Sequence, residues 1–92
     1  MAMERGRIIG YDTERMTFEF TMNDKTTANT VDCTISSATM DPLGGSRGTG
    51  PSERERQFLH LRDEIERIAS DLFDKALTRP VRLIRIFHHH LR

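Results

Sequence analysis

Apolar and polar positions alternate in two stretches before residue 36, and the period then changes. Residues 16–22, Met-Thr-Phe-Glu-Phe-Thr-Met, put Met16, Phe18, Phe20 and Met22 on one side of an extended chain and Thr17, Glu19 and Thr21 on the other. Val31, Cys33 and Ile35 repeat the pattern around Asp32 and Thr34. The polar run 23–29 joins these two strands as a hairpin, and residues 7–11 read as an earlier strand ended by the polar turn 12–15.

From residue 53 to residue 76 the pattern is helical. Phe58, Leu61, Ile65, Ile68, Ala69, Leu72, Phe73 and Ala76 fall on one face, with Arg56, His60, Asp63, Arg67, Ser70, Asp71 and Asp74 opposite. Ser52 with Glu55 predicts a capping box at the start, and Thr78-Arg79-Pro80 ends the helix. On the wet side, Asp63 with Arg67 and Asp71 with Lys75 stand at the favourable i,i+4 spacing. Between strands and helix, residues 36–43 predict one helical turn stopped before Pro42, followed by a flexible glycine-rich loop over 44–51. Residues 81–87 form a last strand. Its period is impure because Leu83 and Ile84 are adjacent, which a bulge or burial on both faces would explain.

These elements predict one α+β domain over residues 1–92, with flexible ends at about 1–6 and 88–92. Its sheet is small and antiparallel, of three to four strands: a meander of three, then the long helix packed on one face, then the fourth strand. A final strand running parallel to the first would give the order 4-1-2-3.

Composition narrows the setting. Of the 92 residues 36% are hydrophobic and 30% charged, enough for one lean core and a modest stability margin. No apolar run follows the N-terminal charges or approaches the length needed to span a bilayer, so the chain is expected to be cytoplasmic and away from membranes. The lone cysteine, Cys33, can form no internal disulfide, which fits a reducing compartment. Formal net charge is zero, which removes any global field for nucleic acid, yet residues 79–92 carry Arg79, Arg82, Arg85, Arg92 and three histidines without one acid.

Two stretches carry a resemblance: Cys33-Thr34-Ile35-Ser36-Ser37-Ala38-Thr39-Met40, and residues 58–69, Phe-Leu-His-Leu-Arg-Asp-Glu-Ile-Glu-Arg-Ile-Ala. Together they are similar to the bacterial domain-of-unknown-function family number 1488, in which a strand-ending Cys-x-Ile-Ser precedes a helix of the form Phe-x-x-x-Arg-x-x-Ile-Glu-x-x-Ala. The resemblance covers roughly residues 10–87 and implies a bacterial α+β domain with no assigned reaction. The glycine loop and the triple histidine depart from the family pattern.

Candidate chemistry is sparse, and no cofactor is expected. Arg62 and Glu66 lie on the flank of the apolar stripe, where a charge must be paired. They read as an i,i+4 bridge covering the core edge, or as an anchor for an anion or partner at the sheet-helix seam. His88 and His90 would project together from an extended chain, but two imidazoles are at most an adventitious metal site. Cys33 reads as a small buried hydrophobe with no base nearby, and the loop before the helix lacks the Gly-Lys-Ser/Thr of a phosphate cradle. The helical stripe spans about 27 Å against about 23 Å for a seven-residue strand. With Leu59 and Leu77 widening it, that overhang points to self-association or a protein partner. The expected function is therefore a non-enzymatic interaction or accessory module. Nucleic-acid contact through Arg82, Arg85 and Phe87 in the basic end is the second reading.

Overall fold

In the computed structural model, residues 3–45, 50–78 and 80–90 are described. The chain runs β1 (Met3–Asp12), β2 (Thr17–Asp24), β3 (Thr30–Ser36), α1 (Ser37–Gly44), a 3-10 turn (Pro51–Glu53), α2 (Arg54–Lys75), β4 (Leu83–Ile86) and a second 3-10 turn (His88–His90). β1, β2 and β3 form the predicted antiparallel meander. β4 pairs in parallel with β3, so the sheet is mixed and its order is β1-β2-β3-β4 rather than 4-1-2-3. The helices between β3 and β4 supply the crossover that a parallel pair requires, and they return the chain beside β3 instead of carrying it to β1.

One face of the sheet carries the core. Phe18, Phe20 and Met22 of β2, Val31, Cys33 and Ile35 of β3, and Ile84 and Ile86 of β4 are buried against Phe58, Ile65, Ile68, Ala69 and Phe73 of α2. Phe58 is central: its ring stacks on Phe18 at 4.5 Å between centroids and tilts against Phe20 at 4.9 Å. Leu83 and Ile84 need neither a bulge nor double coverage, since Ile84 turns into the core while Leu83 is exposed.

Several boundaries differ from expectation for identifiable reasons. β1 starts at Met3, not residue 7, because Met3 is buried in the core and pairs with Asp24. Met16 leaves the alternation: it sits at φ 55° in the β1–β2 turn with its side chain exposed. Thr21 is buried although it points away from the core, because β1 breaks register between Arg5 and Ile8 and arches over it. The Arg7 amide donates to Thr21 Oγ1 at 2.8 Å, and a Cβ on Gly6 would lie 2.5 Å from Thr21 O, so only glycine fits there.

α1 runs through Pro42 for two turns. The Ser36 hydroxyl accepts from the Thr39 amide at 3.2 Å, and Gly45 closes the other end at φ 69°. The predicted capping box is not formed: Pro51 starts a 3-10 turn one residue before Ser52, and Glu53 precedes α2 without a side-chain cap. α2 ends at Lys75, where Ala76 turns extended, so Leu77 falls outside the helix and is fully exposed.

Candidate functional site

Arg62 and Glu66 meet as predicted, and a third residue joins them. Glu66 is nearly buried on α2 and accepts from Arg62 Nε at 3.0 Å through one carboxylate oxygen. Arg5 of β1 donates through Nε to the other oxygen at 2.9 Å and reaches Asp63 through Nη2 at 2.7 Å. Arg62 also donates to Gly6 O at 3.3 Å and lies over the Phe58 ring at 5.8 Å. The cluster thus clips the bulged part of β1 to the middle of α2, and every charge in it is engaged. Asp63 turns to Arg5 rather than Arg67, and Arg67 is held instead by Glu64 and by Asp71, the latter at 3.0 Å.

A second polar cluster was not singled out from the sequence. Arg54, buried at the start of α2, donates through Nη1 to Asp41 of α1 at 2.6 Å and to Gln57 Oε1 at 2.7 Å, and stands over the Tyr11 ring at 5.6 Å. Gln57 in turn donates to Asp41 at 3.0 Å. The signal was present: Arg54 stands four residues before Phe58 and therefore on the apolar face.

The remaining sequence candidates are scattered. Leu59 and Leu77 are exposed on separate parts of the molecule, one in the second turn of α2 and one beyond its end. α1 packs beside the same stripe: Met40 joins the core, Leu43 packs against it, and a Cβ on Gly44 would lie 3.2 Å from Leu61. Cys33 is buried and donates to Val31 O at 3.7 Å; desolvation pushes its thiol up to about 12, with Asp32 and Glu66 adding to the shift. A group at that value is a protonated hydrophobe at neutral pH.

His88–His90 form a 3-10 turn rather than an extended segment, and the His88 side chain lies outside what the structure describes. His90 Nδ1 accepts from the Phe87 amide at 2.9 Å, and its ring lies 4.0 Å from that of His89. Burial, then the neighbouring His89, holds His90 below the usual histidine value. Among the described residues no group of three or more His, Cys, Asp or Glu could hold a metal ion.

What the helices leave uncovered is the other face of the sheet. A shallow groove of about 320 Å³ crosses it, lined by Ile9 of β1, Glu19 of β2, Asp32 and Thr34 of β3, Leu83 of β4 and the overhanging Arg15. Ile9 is 58% exposed and Leu83 46%, with Glu19 and Asp32 between them. Beyond Leu83 along the same edge come Arg85, exposed, and Phe87, 46% exposed. Arg82 is exposed where the chain enters β4, and its carbonyl accepts from the Asp32 amide at 2.9 Å.

Among the described residues these features define a small α+β domain, a mixed four-stranded sheet with helices packed on one face. The model of the family described as "Protein of unknown function (DUF1488)" matches residues 6–84, and the chain belongs to that family. The match includes the glycine-rich loop, which the sequence pattern had set apart, and stops before the three histidines. A crystal structure of a protein of unknown function from the same family, from Shewanella loihica PV-4, is similar at a TM-score of 0.70, with 17% sequence identity over 87% of this chain and 89% of that one. No match was found among curated proteins. Among the described residues no helix is long and apolar enough to cross a membrane.

Proposed function

We propose that this domain is a non-enzymatic, cytoplasmic protein-interaction module whose contact surface is the open face of the sheet. The observation that carries this reading is the one-sided coverage: helices bury one face, while Ile9 and Leu83 stand half-exposed on the other, flanking a groove with a polar floor. The ionic clusters support it by the pairing of their charges, although the buried Arg54 Nε has no hydrogen-bond partner among the described residues. Glu66 is held by two guanidinium groups and Arg54 by Asp41 and Gln57, so both read as braces of the scaffold rather than as groups poised to react. A thiol at about 12 argues in the same direction for Cys33.

Nucleic-acid contact through Arg82, Arg85 and Phe87 is the weaker reading. A strand laid across this face would place phosphates over Glu19 and Asp32. The test is a photo-crosslinking residue at Ile9, compared with one at His60 on the exposed side of α2. Protein adducts in cells at Ile9 but not at His60 are the expected result, with the captured protein identified by mass spectrometry. Equal labelling at both positions, or crosslinks to nucleic acid, would overturn the proposal.

A further inference from the structure

The open face ends at a strand whose outer edge is unpaired among the described residues. We infer that this edge of β4 takes an acidic, extended segment of a partner protein as a fifth strand; this rests on the reading of the domain as an interaction module and names the partner's chemistry. Among the described residues β4 pairs only with β3. The Asp32 amide donates to Arg82 O, so by the alternation of a parallel ladder the amides of Ile84 and Ile86 face β3, and those of Leu83 and Arg85 face outward. Phe87 closes the edge, because its amide and carbonyl are both taken by His90.

Charge selects the occupant. Arg5, Arg15, Arg54, Arg62 and Arg67 each have a carboxylate partner; among the described residues no ion pair engages Arg7, Arg56, Arg82 or Arg85, and of these four Arg82 and Arg85 stand at β4. From Lys75 to Arg92 the sequence contains no acid at all. A strand added here would set every second side chain beside Leu83 and Arg85 and the others on the face of Ile84 and Ile86, which suits acidic residues alternating with apolar ones. The opposite edge is a poorer template, since β1 breaks register twice. A second copy is disfavoured as well: two β4 strands paired about a two-fold axis would bring their arginines together.

The experiment measures fluorescence anisotropy with a short labelled peptide in which glutamate alternates with valine, a lysine-valine counterpart, and single-stranded oligothymidylate. The full chain is compared with Arg82→Glu/Arg85→Glu and with Arg85→Pro, which deletes one outward amide and leaves the β3 ladder intact. The wild type is expected to bind the glutamate peptide at least ~tenfold more tightly than the lysine peptide. Charge reversal should invert that preference, and Arg85→Pro should abolish binding while keeping the wild-type circular dichroism spectrum. Should Arg85→Pro fail to fold, the charge-reversed protein decides alone. Equal affinity for both peptides, undiminished binding by Arg85→Pro, preference for oligothymidylate, or displacement of the peptide by self-association would each overturn the inference. Crosslinks from Ile9 that persist alongside such a result would leave the interaction reading standing and remove only the edge.

Discussion

The Cys33 side chain is surrounded by core residues on three strands, and its thiol is pushed up to about 12 from an ordinary value of 9.0. In the unfolded chain it ionises near 9, so between 9 and about 12 the folded state holds a proton the unfolded state has lost. Stability should therefore be fully present below pH 9 and fall as pH rises through that window. Urea unfolding of wild type and Cys33→Ala across pH 8–11 checks this: the alanine protein, less stable throughout, should lack the alkaline slope. Gly6 makes the second residue-scale prediction. A methyl there meets both the carbonyl and the hydroxyl of Thr21, so Gly6→Ala should cost about 1–3 kcal/mol, and Thr21→Ala should relieve only part of it. Ser70, expected on the wet side of the helix, is buried with no hydrogen-bond partner for its hydroxyl. Ser70→Ala should leave the melting temperature unchanged or raise it.

At the scale of elements, the polar clusters fasten pieces that apolar packing alone would leave loose. Arg54 holds α1 to α2 through Asp41, and removing one partner of a buried pair is costly. Arg54→Ala should lower stability by about 2–4 kcal/mol and expose the α1 amides to hydrogen exchange before those of β2. Arg62→Ala should cost about 1–2 kcal/mol, because Glu66 keeps Arg5 while losing its partner on the helix. An unchanged melting temperature would mean that Arg5 suffices. The elements most legible in the sequence were those with a clean period: 16–22, 31–35 and the α2 stripe took the predicted form, except that Met16 is lost to a turn, Ala76 lies past the helix, and Thr21 and Ser70 are buried on faces predicted wet. The start of β1 was hidden because Met3-Glu4-Arg5-Gly6-Arg7 has no period to read, its burial depending on a bulge and a distant carboxylate. Arg54 was hidden differently. A charge on the apolar face announces a partner but not which one, and Asp41 lies thirteen positions back across the glycine loop.

For the molecule as a whole, strand order was the weakest inference, since a sequence says that a last strand exists and not beside which neighbour it lies. Placing β4 next to β3 changed the functional picture too. α1 packs against part of the α2 stripe, and the exposed groove lies on the far side of the sheet, toward its β4 margin. The same adjacency has a bearing on biosynthesis. β1, β2 and β3 can zip together by short hairpins as soon as they are made, but the flank of β3 waits for a strand that is translated more than forty residues later. Until then Val31, Cys33 and Ile35 sit on an open margin, so nascent chains stalled before Leu83 should be the ones that clump and draw chaperones, whereas chains released after Ile86 should stay dispersed.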